Sequence, residues 1–242
     1  MTGCTTLQLP LTSSELRNLY ELDLSFCSQL TDVSPLRHIH RLNLSRCVNV
    51  VDVSALANVY DLNLSGCIRV TDVSQLGRVH TLDLSRCPGI TDISALTAVH
   101  TLYLYNCPNI EKGLDDLQTV HELHISRYNV IDLSQFGKIR KLCLSYCSRV
   151  ITPPDIITSA SSPLTLPAPI IPTMMLFEPL PSLALSFQHM QELILDHCDT
   201  IDDLSAISTI PVVSLNCCDK IENINSLHSV QKLTLLGCER IP

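Results

Sequence analysis

The sequence predicts an α/β solenoid, with short parallel β-strands stacked into one sheet and turns or short 3-10 segments on the opposite side. Three features carry this prediction: a 20-residue period, a Leu-x-Leu pair at the start of each period, and apolar residues at three-residue steps after it. Successive strand residues point to opposite faces, so the two leucines of a pair share one face. A single unit cannot bury this apolar set, whereas stacked units bury it against one another.

The first positions of the apolar pairs define the strands. They fall at Leu22, Leu42, Leu62, Leu82, Leu102, Leu123, Leu142, Leu193, Val213 and Leu233. The unit from Leu102 to Leu123 is one residue long, and the unit from Leu123 to Leu142 is one residue short. The frame therefore predicts ten strands, with a further short copy at Leu7 and Leu9.

A cysteine follows three residues after most pairs. We call these nine residues the ladder cysteines: Cys27, Cys47, Cys67, Cys87, Cys107, Cys147, Cys198, Cys218 and Cys238. Neighbouring ladder thiols would lie about one strand spacing apart, ~4.8 Å, which by itself permits disulfides. A continuous column gives each thiol two equal partners, so we expect free thiols and a reducing compartment.

Two polar columns mark the turns. A serine is predicted to cap a short helical turn, with Pro35 in its first position, at Ser34, Ser54, Ser74, Ser94, Ser134 and Ser205. An aspartate two residues earlier is predicted to bond turn backbone, at Asp32, Asp52, Asp72, Asp92, Asp132 and Asp203. These acids recur too regularly to form a catalytic set.

These repeats resemble the leucine-rich-repeat superfamily. DLSRCPGITDIS resembles the cysteine-bearing LxLSxCxxITDxSxL repeats of trypanosomatid and giant-virus proteins, and ITDISALTAVHTLYL is more distantly similar to bacterial internalins. The resemblance covers about residues 16–150 and 182–242, although Cys replaces the usual Asn of internalins and one convex step is missing. It implies a horseshoe with the parallel sheet on a concave binding face, a ladder side chain that satisfies turn backbone, and no reaction.

Four segments follow from this frame. Residues 1–19 are predicted to form an N-terminal cap and a short first repeat, and residues 20–150 the main repeats. Residues 151–181 form a Pro-rich insertion within the array. Residues 182–242 return to the repeats and end within one.

Composition narrows the function classes. The 242 residues carry 24 acids against 16 bases, a net charge of -8, so no basic surface for nucleic acid is expected. The N-terminus lacks a signal-peptide pattern and no apolar run is long enough to span a bilayer, so we predict an intracellular, cytoplasmic protein without a membrane partner. We predict no metal, no cofactor and no catalysis: no zinc spacing, nucleophilic set or glycine-rich phosphate loop is present.

A ring-bearing column precedes the strands at Tyr20, His40, Tyr60, His80, His100 and His121. Stacked imidazoles could bind zinc or sense pH. The favoured interpretation is a structural ladder of flat rings along one rim of the strand face.

The candidate binding residues are those that interrupt otherwise small, polar strand positions. They are Tyr103, Tyr105, His124, Arg127, Tyr128 and Tyr146 in the repeats, with Met174, Met175 and Phe177 in the Pro-rich insertion. Tyrosine and arginine are common anchors of protein interfaces. Drift among degenerate repeats is the alternative for the first group, and a flap folded over the solenoid is the alternative for the insertion.

The function predicted is a protein–protein interaction scaffold that binds a partner on the concave face or through the insertion. Two alternatives remain open: a structural subunit of a larger assembly, such as a viral particle or cytoskeletal array, and a substrate-recruiting subunit of a ubiquitin ligase. A homodimer through an uncovered C-terminal repeat is a further expectation, because solenoids need a cap.

Overall fold

A computed structural model describes most of the repeat array. The described residues are 16, 18–117, 119–128, 130–152, 187–198, 200–201, 204–221 and 224–240. The predicted N-terminal cap, nearly all of the Pro-rich insertion with Met174, Met175 and Phe177, and the last two residues lie outside them.

The strands recur at the predicted leucine pairs. In chain order they are β1 (Glu21–Asp23), β2 (Arg41–Asn43), β3 (Asp61–Asn63), β4 (Thr81–Asp83), β5 (Thr101–Leu104), β6 (Glu122–Ser126), β7 (Val130–Asp132), β8 (Lys141–Ser145), β9 (Arg149–Ile151), β10 (Glu192–Asp196), β11 (Thr200–Ile201), β12 (Val212–Asn216) and β13 (Lys232–Leu236).

All ten predicted leucine-pair strands form one parallel sheet, which confirms the α/β solenoid. Its order is β1-β2-β3-β4-β5-β6-β8-β10-β12-β13. The first apolar residue of each pair faces its equivalent in the next strand, for example Leu22 with Leu42. This register survives both slips, since Leu102 pairs with Leu123 and Leu123 with Leu142.

The core is a continuous aliphatic column. In one unit, Leu62, Leu64, Cys67, Val70 and Val73 are each at most 2% exposed. The side chains of the leucine pair and those at the three-residue steps therefore all point into the core that is shared with the neighbouring units. No unit closes its own core, so the array gains its stability from stacking.

Aspartate stabilises the turns opposite the sheet, as predicted, but serine does not cap them. The short 3-10 segments are Ser34–Leu36, Ser54–Leu56, Ser94–Leu96, Leu133–Phe136, Ser205–Ile207 and Asn225–Ser229. The serine is already inside the 3-10 turn, and the Asp32 carboxylate accepts a hydrogen bond from the Ser34 backbone N–H at 2.9 Å. Asp52, Asp72, Asp92 and Asp132 repeat this contact. The serine prediction was wrong because the helical turn begins one residue earlier than assumed.

A second parallel sheet was not predicted. Strands β7, β9 and β11 pair in the order β11-β9-β7 and follow β6, β8 and β10, respectively, along the chain. Their sequences are rich in β-branched residues, such as Val150 and Ile151, which favour extended backbone. In these units a short second strand replaces the simple turn that follows β1 to β4.

The described sheet ends at β13. Leu235 is 36% exposed and Leu236 is 60% exposed on this strand. A homodimer through this strand stays a prediction. Within the described residues, no helix is long and apolar enough to cross a membrane.

Candidate functional site

The candidate site lies on the sheet face, the surface made by strand side chains that point away from the core. Each strand contributes three columns to it, represented in β4 and its turn by Thr81, Asp83 and Ser85. Intervening residues such as Leu82 and Leu84 point inward and are fully buried.

In the first four units, the middle column is a structural element. The side-chain oxygens of Asp23, Asn43, Asn63 and Asp83 each accept a hydrogen bond from the backbone N–H two residues later, at 2.8–3.0 Å. Aspartate and asparagine commonly close such turns. Strands β1 to β4 accordingly end after three residues.

Three rings interrupt this pattern at β5 and β6. Tyr103 stacks on His124 with ring centroids 4.4 Å apart and planes 22° apart. Tyr105 meets the edge of His124 at 5.6 Å, and its hydroxyl lies 2.7 Å from His124 Nδ1. The sequence-predicted residues Tyr103, Tyr105 and His124 therefore form one packed group, which we call the aromatic cluster.

A charged network that sequence reasoning missed supports the aromatic cluster. His124 Nε2 lies 2.9 Å from Glu122 Oε1, and Lys141 Nζ lies 3.0 Å from the same oxygen. Lys141 also reaches Glu192 Oε2 at 3.6 Å. Glu122, Lys141 and Glu192 occupy the first strand column, so their common register was the available signal.

Protonation fixes the direction of these hydrogen bonds. Burial raises the pKa of Tyr105 to about 12, so the phenol keeps its proton at neutral pH. Burial also lowers the pKa of His124, although its hydrogen bond to Glu122 opposes this shift. Neutral His124 then accepts from Tyr105 at Nδ1 and donates from Nε2 to Glu122. This arrangement holds two rings in place and leaves the Tyr105 oxygen a poor nucleophile.

The predicted site residue Tyr128 lies elsewhere. It stands at the ladder position of its unit, packs against the core, and its hydroxyl lies 3.5 Å from the Cys107 carbonyl oxygen. The inward direction of this position outweighs the polarity of the side chain. Tyr128 therefore takes the place of a ladder cysteine and lies apart from the sheet face, and its role in binding stays a prediction.

Arg127 and Tyr146 lie on the turn that ends each strand. Both have positive φ, 64° and 55°, as do the equivalent residues of the other units. Tyr146 is 54% exposed and stacks on His197 with centroids 4.6 Å apart. His197 was not predicted, because the Pro-rich insertion separates it from Tyr146 in sequence. Arg127 and Tyr146 therefore flank the sheet face at the ends of the strands.

A groove covers the sheet face from β1 to β5. Its volume is about 350 Å³, and Tyr103 is its aromatic boundary. The charged side chains lining it are Glu21, Asp23, Arg41, Asp61 and Asp83. Arg41 Nε lies 2.7 Å from Asp61 Oδ2, so the single base is already paired.

The ring column along the rim is a stacked ladder, as favoured from the sequence. Its consecutive ring centroids lie 4.3–4.7 Å apart from Tyr20 to His121. The His80, His100 and His121 rings are within 10° of parallel. Parallel stacking points the nitrogen lone pairs away from any shared point between the rings. No group of three or more metal-binding side chains in the described residues has a suitable arrangement for a metal ion.

The ladder thiols bond the carbonyl oxygen of a preceding unit. Cys47 Sγ lies 3.0 Å from Leu24 O, and Cys67 and Cys87 repeat the contact at 3.1 and 3.2 Å. Burial raises the pKa of Cys87 to about 12, which keeps the thiol protonated as a donor. None of the cysteines in the described ranges is in a disulfide.

No protein-family model matches the sequence, and comparison with curated proteins finds no significant match. Among solved structures, the chain is similar to an internalin (inlF) of Listeria monocytogenes, with 17% identity and a TM-score of 0.54 over 93% of this chain and 69% of the internalin. It is also similar to a chain of the mouse RP105/MD-1 complex, with 14% identity and a TM-score of 0.50 over 82% of this chain and 34% of the mouse chain.

These likenesses concern the fold alone. The likeness to trypanosomatid and giant-virus repeats stays a prediction. The parallel sheet, the repeat register and the two structural likenesses agree, and the chain therefore has the leucine-rich-repeat fold.

Proposed function

We propose that the protein is a non-catalytic interaction scaffold that binds another protein across the sheet face, with the aromatic cluster as its anchor. The observation that carries this proposal is the cluster itself. Tyr103 and Tyr105 are half-buried, so each keeps exposed ring area. Tyrosines that are already held in position lose little entropy on binding, which makes them effective anchors.

The surroundings of the cluster support this role. The cluster directly follows four units whose middle and third sheet-face columns hold only Asp, Asn and Ser, so the large rings differ sharply from the residues before them in these columns. Stacking and the hydrogen bonds to His124 and Glu122 hold the rings before a partner arrives. Residues that occupy the centre of an interface and are already ordered carry most of its binding energy.

The best test removes the cluster without disturbing the repeat. The double variant Tyr103→Asn/Tyr105→Ser restores the residues present at Asn63 and Ser65, so it is compatible with the fold. The matched control is Tyr20→Ala, which removes an exposed tyrosine from the end of the rim ladder. Each chain is immobilised and exposed to an extract of the native cell.

We expect one stoichiometric protein to bind the wild type and the control and to be lost from the double variant. Each buried aromatic anchor can contribute ~2 kcal/mol, so the pair is expected to change affinity by at least tenfold. Equal capture by a folded double variant contradicts the proposal. Capture of a ligase core, or co-purification with a particle, would instead favour one of the two alternatives from the sequence.

A reducing compartment is part of the same proposal. Its support is the column of buried thiols. Cys47, Cys67 and Cys87 each have a ladder cysteine in the unit on either side. Oxidation would offer several equivalent pairings and distort the carbonyl contacts. Native mass measurement with alkylation before and after denaturation tests this point.

A further inference from the structure

We propose that the groove beside the aromatic cluster binds an extended protein segment with lysine or arginine at alternate positions. This inference rests on the proposed function, because it names the chemistry of the partner. The occupant is specified by three features of the groove: its charge, the free face of one ring, and the spacing of its carboxylates.

The first feature is charge. Glu21, Asp23, Asp61 and Asp83 line the groove against one base, Arg41, which is paired with Asp61. The three exposed arginines of the strand-end turns, at positions 46, 86 and 127, do not line it. A basic segment is therefore attracted to the groove, whereas an acidic one is repelled.

Two of these carboxylates are also held in the ionised form. Hydrogen bonds from Ser25 lower the pKa of Asp23. Burial acts to raise the pKa of Asp61, but hydrogen bonds from Arg41 and Thr81 outweigh it and lower the value. Within the described residues, Asp83 accepts the hydrogen bond from the Ser85 backbone N–H at Oδ1, which leaves Oδ2 able to accept from a ligand.

The second feature is the free face of Tyr103. Asp83, Tyr103 and His124 are consecutive residues of the middle column. One face of the Tyr103 ring covers His124, so the opposite face borders the groove beside Asp83. A cation at this point would contact both an aromatic face and a carboxylate, which is the arrangement favoured by cation–π binding.

The third feature is spacing. Asp23 and Asp83 belong to β1 and β4, three strand spacings apart, or about 14 Å. A segment crossing the strands in extended form advances about 3.4 Å per residue, so about four residues cover this distance. Alternate side chains of an extended segment point to the same side. Basic residues at every second position would therefore all point into the groove, with the first and fifth reaching Asp23 and Asp83.

The experiment uses the full chain and defined peptides. A labelled peptide of five Lys-Ser repeats is titrated with the protein in fluorescence anisotropy, at low and at physiological salt. The comparison peptides are five Glu-Ser repeats and five contiguous lysines followed by five serines. We expect the alternating lysine peptide to bind most tightly and its affinity to fall with salt.

Two charge-matched variants identify the site. Asp23→Asn/Asp83→Asn removes two groove carboxylates but keeps their turn hydrogen bonds, as Asn43 and Asn63 do. Asp52→Asn/Asp72→Asn makes the same charge change on the opposite turns. We expect the groove variant to bind roughly tenfold more weakly and the turn variant to bind like the wild type.

Equal weakening by both variants would overturn the proposal, because it would show attraction to net charge alone. Wild-type affinity in the groove variant, or equal affinity for contiguous lysines, would also overturn it. Failure of the proposed function is distinguishable. A native partner that is lost with Tyr103→Asn/Tyr105→Ser but retained with Asp23→Asn/Asp83→Asn leaves the function standing and rejects the basic segment.

Discussion

At the scale of single residues, the ladder cysteines are the side chains most closely tied to the fold. Most of these thiols fill the core and also donate to a carbonyl oxygen of the preceding unit, as Cys87 does to Leu64 O at 3.2 Å. An apolar side chain of similar volume could fill the same space but would leave that contact unmade. The cost of removing a ladder thiol therefore includes packing and hydrogen bonding.

We predict that Cys87→Ala lowers the free energy of unfolding by about 1–2 kcal/mol, because it opens a small cavity and removes a buried donor. Urea denaturation followed by circular dichroism measures the change. Cys238→Ala is the matched control at the half-buried end of the ladder, and its expected effect is smaller. Equal effects at the two positions would contradict this account of the ladder.

Histidine burial predicts a pH dependence of stability. Desolvation lowers the pKa of both His124 and His100 below the ordinary value of 6.5. The unfolded chain then binds more protons than the native protein in the range just below 6.5, so stability falls as pH drops through it. We predict a lower urea midpoint at about pH 5.5 than at about pH 7.5.

The variant His124→Asn is expected to reduce this pH dependence, because it places at β6 the residue type present at Asn63. His189→Asn is a control at an exposed histidine. An unchanged difference between the two pH values in His124→Asn would show that His124 does not contribute.

The structural role of a residue was predictable where the same residue type recurs at the same position of the 20-residue repeat. The ladder cysteines and the turn aspartates follow from the 20-residue period, and both have the expected structural roles. Tyr128 packs against the core because its position in the repeat, and not its chemical type, decides which way its side chain points. The Glu122–Lys141 pair was missed because a pairing across strands depends on rotamers as well as on register.

At the scale of elements, the short turns opposite the sheet depend on carboxylate capping. Asp132 is the clearest case, since its side chain accepts from the Ser134 N–H at the start of the 3-10 segment Leu133–Phe136. Phe136 of that segment is only 1% exposed, so the cap also positions a core residue.

We predict that Asp132→Ala lowers the free energy of unfolding by about 1 kcal/mol, a typical loss for a capping side chain. Asp132→Asn keeps an acceptor and is expected to remain close to the wild type. The urea midpoints of the wild type and of these two variants measure the change in stability. A loss in Asp132→Asn as large as that in Asp132→Ala would indicate a role for the charge and not for the cap.

The main sheet could be predicted at the level of elements, but the second sheet could not. Leu-x-Leu pairs mark the main strands because both residues must face the core. The segments of β7, β9 and β11 instead occupy positions where earlier units have irregular turns. Such a segment pairs as a strand only if the equivalent segment in the next unit is also extended. The repeat period alone does not show whether that is so.

At the scale of the whole molecule, the rate at which the ladder cysteines are alkylated measures how far the array is folded. Cys67 and Cys87 are fully buried, and burial raises their pKa values to about 11 and about 12. The reactive species toward alkylating reagents is the thiolate. Both low access and a raised pKa should therefore protect the ladder in the native protein.

We predict that Cys67 and Cys87 are alkylated only as fast as the array unfolds, whereas the partly exposed Cys217 reacts early. Peptide mass spectrometry over a time course in increasing urea measures each site separately. Early reaction of the ladder in native buffer, at a rate similar to that of Cys217, would contradict a continuous buried column.

The fold of the whole molecule was predictable because every unit repeats the same pattern of apolar positions, so each unit independently indicates the same strand and turns. The binding face was predictable only in part, because a break in the repeat marks where a surface differs but not what contacts it. Tyr103, Tyr105 and His124 come together as expected, while the acidic groove that ends at Tyr103 emerged only from the register of β1 to β5.

The central claim is that a partner protein contacts the sheet face, and site-specific photo-crosslinking tests it most directly. A benzophenone side chain replaces Tyr103 in one protein and Val51, which is 46% exposed among the opposite turns, in another. After irradiation with the captured partner, we expect a covalent product from position 103 and none from position 51. A product from position 51 alone would contradict the claim and place the interface on the turns.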